Sequence, residues 1–219
     1  MWGETSLDLA GSPWPEGVAL DVVLSDPERD APRLYDLAPV LPFRRIRVTI
    51  PAAPGVAKAG MLAIALHFPV RLLPGQPRPD VVEQLERILD RYLHDPSASE
   101  PVEFFHSALA TLLHGCPAGL WEVLEQDPAL FRRIPDDGEG PPPPVPPVLP
   151  QEANFVANHR ARLVATGSEC AECPFLEWCE GFFKWPHPDY GCRDVRRLLG
   201  LVEVAAAALR RDVVESGER

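Results

Sequence analysis

Residues 44–94 read RRIRVTIPAAPGVAKAGMLAIALHFPVRLLPGQPRPDVVEQLERILDRYLH. Two short apolar runs, Arg44–Ile50 and Met61–Phe68, each end near a proline, and a third, Val18–Leu24, precedes them. Short apolar runs bounded by such breakers read as buried strands. Val81, Val82, Leu85, Ile88, Leu89 and Tyr92 then recur at helical spacing, so one apolar stripe predicts a helix over Pro79–His94. Strand alternating with helix points to βαβ units and a mostly parallel sheet. The expected fold class is α/β: a partial barrel or small, mostly parallel sheet with helices, followed by a small helical cysteine-rich module. The strands are too few for a closed eight-stranded barrel.

Outward from that stretch, Pro27–Leu41 reads as a short helix or an irregular crossover. A helix over Pro101–Leu113 places Val102, Phe105, Leu109 and Leu112 on one face, with Gly115 suited to end it. A shorter helix is expected over Gly119–Gln126. Residues 135–150, PDDGEGPPPPVPPVLP, have few backbone donors and favour an extended, stiff conformation, so they read as a linker. The expected division is an α/β scaffold over 1–134, a proline-rich linker over 135–150 and a cysteine module over 151–219. Within the last, Gln151–Thr166 should be helical and stop at Gly167. Val195, Leu198, Leu199, Val202, Ala206, Leu209 and Val213 predict an amphipathic terminal helix over Arg193–Val214.

Composition narrows the function classes. With 46% hydrophobic residues among 219, the chain can build a core. Its 27 prolines are about twice the ordinary share, which favours short elements and stiff connections. A net charge of −11 repels nucleic-acid phosphates and suits basic peptides or basic protein partners. The start, MWGETSLDLAGSPWPEG, lacks the basic and apolar regions of a signal peptide, and no run is long enough for a membrane span. The expectation is a cytoplasmic protein without nucleic-acid or membrane partners. In a reducing compartment, clustered cysteines read as metal ligands before disulfides.

Four cysteines cluster in CAECPFLEWCEGFFKWPHPDYGC: Cys170, Cys173, Cys179 and Cys192, spaced C-x2-C-x5-C-x12-C. An x2 spacing lets two sulfurs face one metal, and Pro174 fixes the backbone after the second. Phe175, Leu176, Trp178, Phe182, Phe183, Trp185 and Tyr190 offer an apolar shell that would keep water and oxygen from an iron–sulfur cluster. Zinc is the rival, because it also takes four cysteines. A zinc ribbon usually supplies two x2 knuckles, whereas here only the first pair is one. An iron–sulfur cluster, zinc and no metal at all remain open on the residues alone, with the aromatic loops favouring iron.

From Cys170 to Leu199 this pattern resembles the auxiliary-cluster region of SPASM and related twitch domains. Those domains are carboxy-terminal extensions of radical S-adenosylmethionine enzymes that modify peptides. The resemblance implies one 4Fe-4S cluster on Cys170, Cys173, Cys179 and Cys192. The full SPASM pattern has a further cysteine four residues after the third, where this chain has Phe183, and the upstream pair for a second cluster is missing. The segments VEFFHSALATLLHG and GLWEVLEQDPALFRRI resemble the later part of a radical S-adenosylmethionine partial barrel. The CxxxCxxC of the radical-generating site is absent. The resemblance therefore implies a truncated or degenerate relative, with a reduced scaffold over 1–134. It would be a non-catalytic subunit acting in electron transfer or substrate anchoring, with a catalytic partner protein and a precursor peptide. An enzyme with an iron left open to substrate, Cys192 being the ligand to drop out, and a zinc-stabilised adaptor are the alternatives.

Other candidates carry weaker signals. Cys116, beside His114, reads first as a buried cysteine and second as a reactive thiol. Glu103 and His106 have a di-iron spacing, but di-iron bundles use it twice and it occurs once here. His67 reads first as a core or edge residue and second as one pointing into a site, His159 as a solvent-facing one, and His187 has a secondary reading as a donor to a cluster sulfur or a rare ligand. There is no GxSxG, P-loop, GxGxxG or HExxH.

Overall fold

Strand–helix repeats build the first half of the chain. The computed structural model describes residues 18–115, 118–130 and 154–217. Strand β1 (Leu20–Val23) leads through two short helices, α1 (Pro27–Asp30) and α2 (Leu34–Leu37), to β2 (Ile46–Pro51). Helix α3 (Val56–Ala65) then connects to β3 (Val70–Leu73), and α4 (Pro79–His94) to β4 (Val102–Glu103). Every neighbouring pair is parallel, in the order β1-β2-β3-β4. The register sets Leu20 opposite Ile46, Val48 opposite Val70, and Val70 opposite Val102.

This order has a physical consequence. Each strand is added at the same edge, so right-handed crossovers put the connecting helices on one face. Ile46, Val48, Ile50, Val70, Leu72 and Val102 alternate along the strands and are buried, and α3 packs on β2, β3 and α4. The intervening residues, Asp21, Arg47, Thr49, Arg71 and Glu103, form a charged second face. Arg47 Nη2 donates to Asp21 Oδ2 at 2.8 Å, and Thr49 Oγ1 donates to Asp21 Oδ1 at 2.5 Å. Arg71 Nη2 donates to the Leu124 carbonyl at 2.7 Å and lies 2.9 Å from Glu125 Oε2. A parallel sheet is usually apolar on both sides; here one side is satisfied by ion pairs instead.

Two expectations need correction. Met61–Phe68 is not a strand: it falls in α3 and the turn after it, and the strand is the next segment, Val70–Leu73. Short apolar runs do not distinguish a buried helix from a buried strand. Ala57, Ala59, Ala63 and Ala65 tip this one to helix. Gly55 starts it with φ +86°, where a Cβ would sit 2.6 Å from the Glu28 backbone. The second correction is the helix expected from Pro101. Val102–Glu103 instead pairs with β3, Phe104 turns the chain at φ +83°, and helix α5 runs from Phe105 to His114. Tertiary pairing of Val102 overrides the helical period there.

The remaining described elements are α6 (Leu120–Val123), α7 (Phe155–Ala165), α8 (Leu176–Cys179) and α9 (Arg193–Gly217). Gly115 and Gly167 follow α5 and α7 in left-handed conformation, as helix stops. The linker expected at 135–150 lies outside the described residues. The segments on either side of it share one hydrophobic core, because α9 packs on α4 and α5. Val195, Leu198, Leu199, Val202 and Ala206 are buried there, while Leu209 and Val213 run past the core at 37% and 68% exposure. Burying one such Leu or Val contributes roughly 1.5–3 kcal/mol. Among the described residues no helix is long and apolar enough to cross a membrane.

Candidate metal centre

The segment between α7 and α9 has little regular structure, and side chains reaching its backbone hold it in place. His159 is buried on α7 at 2% exposure, not solvent-facing as its flanking arginines suggest. Its Nε2–H donates to the Gly181 carbonyl at 3.0 Å, and its Nδ1 accepts from Arg162 Nη2 at 3.2 Å. Burial lowers the pKa of this imidazole, and the Arg162 charge adds to that against the Gly181 bond, so the ring is neutral. Gly181 has φ +75°, and a Cβ there would lie 2.4 Å from Leu163 Cδ1. Only glycine lets the loop pass this close to α7.

Further ties come from the sheet half. Gln76 Nε2 donates to the carbonyls of Phe183 at 2.9 Å and His187 at 2.8 Å. Tyr190 Oη donates to the Pro77 carbonyl at 2.6 Å, and Trp121 Nε1 to the Glu180 carbonyl at 3.2 Å. Trp121 also packs edge-on to Phe155 and Phe182, with ring centroids 5.4 and 5.0 Å apart. The aromatic residues flanking the cysteines thus form the seam between the two halves of the chain.

Inside this frame Cys170, Cys173, Cys179 and Cys192 line one cavity. Phe175, Leu176, Phe183, Val195 and Leu199 complete its apolar wall, and Glu169, Lys184 and Arg196 are its charged members. Cys170 and Cys192 are buried, and Cys173 and Cys179 half-buried. Helix α9 supplies wall residues directly, whereas α7 acts one layer back, through Gly181. The Cys192 carbonyl accepts from Arg196 N at 2.8 Å, so the fourth cysteine begins the first turn of α9.

One acidic side chain joins the first and last cysteines. Glu169 Oε1 accepts from the Cys192 N–H at 2.9 Å and from Lys184 Nζ at 2.7 Å. Its Oε2 lies 3.1 Å from Arg196 Nη2. Burial works to raise the Glu169 pKa, but the bonds from Lys184 and the Cys192 N–H and the nearby cations win and lower it. Lys184 Nζ donates a second bond, to the Tyr190 carbonyl. Neither Glu169 nor Lys184 stands out in the sequence, since a single charge beside a cysteine run has no periodicity to betray it.

Two of the thiols, Cys179 and Cys192, are hard to ionise. Burial pushes Cys179 up to about 11, although the backbone amides of Phe183, Gly181 and Phe182 offset part of that. Burial pushes Cys192 up to about 12; the Lys184 charge opposes this, and Glu169 and the neighbouring cysteines reinforce it. A metal binding here would displace thiol protons and bring its own compensating charge.

Cysteine is the donor type of zinc and iron–sulfur centres, and all four line one cavity, with the nearest carboxylate engaged by Lys184, Arg196 and an amide. The spacing is looser than the composition. Among the described residues no three His, Cys, Asp or Glu groups converge closely enough to hold an ion as they stand. The cavity itself measures about 20 Å³, roughly the room of one water. The shared cavity is the weightier observation, because hydrogen bonds from His159, Gln76 and Trp121 hold the loop backbone, while a change of χ1 rotamer re-aims a sulfur.

The other sequence candidates do not join this site. His67 Nδ1 meets Ser99 Oγ at 3.3 Å on the surface. Glu103 accepts from Ser107 Oγ, while His106 pairs with Tyr92 Oη at 2.8 Å, so the two take different partners. The His187 side chain is exposed; its carbonyl is what holds the loop. Cys116 lies outside the described residues.

The chain matches no family model, no curated protein and no solved structure. The likeness to SPASM domains therefore rests on the spacing of four cysteines and their aromatic neighbours.

Proposed function

We propose that this chain is an iron–sulfur accessory protein. Cys170, Cys173, Cys179 and Cys192 would hold one 4Fe-4S cluster, and the protein would act in electron transfer or substrate anchoring during ribosomal peptide maturation, beside a catalytic partner. The observation that carries the reading is that all four thiols line a single, mostly apolar cavity. Such a cluster supplies one-electron exchange when bound. The chain's own residues do the rest. Phe175, Leu176, Phe183, Val195 and Leu199 exclude water, amides of residues 181–183 stabilise the Cys179 sulfur, and Glu169 ties the Cys192 backbone to Lys184. The peptide context rests on the resemblance of the cysteine module alone.

Two other readings bear on the same cavity. A cavity of about 20 Å³ favours a single zinc ion over a cubane unless the sulfurs re-aim. An enzyme with an open iron at Cys192 has less support, since Cys192 is buried and its N–H is bonded to Glu169. The deciding experiment is metal and sulfide analysis of protein purified without oxygen. About four irons and four sulfides per chain, with visible absorption that bleaches on reduction, is the expected result. One zinc and no colour would move the protein to the adaptor reading.

A further inference from the structure

The cavity wall carries more cations than its one carboxylate balances. Lys184 is nearly inaccessible, its side chain 5% exposed, and burying an ammonium is costly unless something compensates it. Glu169 supplies one negative charge, yet it is shared with Arg196 at 3.1 Å. Two cations thus stand around one carboxylate, leaving a net positive wall beside the four thiols. Lys184 is also close to the sulfur chemistry. The Tyr190 carbonyl that accepts from its Nζ lies 3.9 Å from Cys192 Sγ, so one oxygen separates ammonium and thiol.

Four thiolates around zinc, or around an oxidised 4Fe-4S core, make a net negative centre, and adding an electron to the cluster makes it more negative. In a low-dielectric wall a fixed cation lowers the energy of that anion strongly, and that of the more reduced state most. We propose that Lys184, supported by Arg196, is the counter-charge that admits a thiolate metal centre to this cavity and, with iron bound, raises its reduction potential. The proposal rests on the reading that the four cysteines hold metal. Lys184 acts through space and through the Tyr190 carbonyl, not as a ligand.

The test uses full-length protein reconstituted without oxygen, as wild type, Lys184→Met, Lys184→Arg and Arg196→Gln. Metal analysis comes first and judges the iron–sulfur reading by itself. With iron bound, a potentiometric titration against dithionite should find Lys184→Met about tenfold harder to reduce, near 59 mV for one electron. Lys184→Arg should restore most of the loss. An unchanged potential in Lys184→Met at full iron content overturns the proposal. Should Lys184→Met not fold, Arg196→Gln, at a side chain 38% exposed, must shift the potential in the same direction by a smaller factor, and no shift overturns it. If the wild type carries zinc, the iron–sulfur reading is lost and the counter-charge is read as affinity. Lys184→Met should then lose zinc to a chromophoric chelator about tenfold more readily, and equal affinities overturn the proposal. A wild type that binds neither metal overturns both.

Discussion

The sheet half and the cysteine loop are stabilised by different means. In the first, buried Ile46, Val48, Ile50, Val70, Leu72 and the α4 stripe form a repeating apolar surface. Residues 169–192 contain only short turns of helix, and their backbone is fixed by side chains arriving from elsewhere: His159, Gln76 and Trp121. A periodic surface is redundant, because many residues share the work. A set of single hydrogen bonds is not, so each can be removed and its local effect read.

The comparison breaks most visibly in the core. Leu85→Ala, at a fully buried position on α4, should cost about 2–5 kcal/mol and, because the core is shared, unfold the cysteine region with the sheet. Denaturant unfolding followed separately by sheet and tryptophan signals checks this, and two separate transitions would contradict the single core. Glu169→Ala comes next. It strands Lys184 and the Cys192 N–H, and the loss should be roughly 1–3 kcal/mol, with metal retention impaired while the sheet persists. Gln76→Ala removes two bonds to the loop for about 1 kcal/mol, and hydrogen exchange should quicken over residues 181–190 before it does in the strands. Val213→Ser, on the exposed end of α9, should fall within about 0.5 kcal/mol of wild type in the same unfolding assay.

Acidity provides a softer probe of the same contrast. Folding raises the Cys179 and Cys192 pKa values to about 11 and about 12, from an ordinary thiol value near 8.5. The folded state then holds protons that the unfolded chain releases. The stability this contributes is complete below the unfolded value and is lost as pH rises through it toward the folded values. Metal-free protein should therefore show a falling urea midpoint from about pH 8.5 up to about 12. Metal-loaded protein, whose sulfurs carry no protons, should show little of that fall and lose stability toward acid instead.

How much of this was legible in the sequence follows from the same distinction. The α4 helix and β2 declare themselves, because Val81 through Tyr92 and Ile46 through Ile50 carry the period of the structure they adopt. The run Met61–Phe68 did not, since a segment with His67 as its one polar residue has no polar face to fix its period. The strand at Val102 is hidden by its shortness and by the helix that follows. The four cysteines were legible as a group because their chemistry is concentrated in one short span. The carboxylate and ammonium behind them were not.

The amino-acid sequence by itself determined the α/β alternation, the glycine stops of α5 and α7, the amphipathic terminal helix and the four thiols as one set, all properties of near neighbours in the chain. Tertiary structure alone decided that helices cover one face of the sheet and ion pairs the other. It also decided that α9 closes the core over α4 and α5, and that Glu169, Lys184 and Arg196 meet beside Cys192. The physical reason is distance along the chain. Local periodicity records which residues prefer to be buried, but the partner that satisfies a buried charge or a loop carbonyl lies, in the case of Gln76 and His187, 111 positions away.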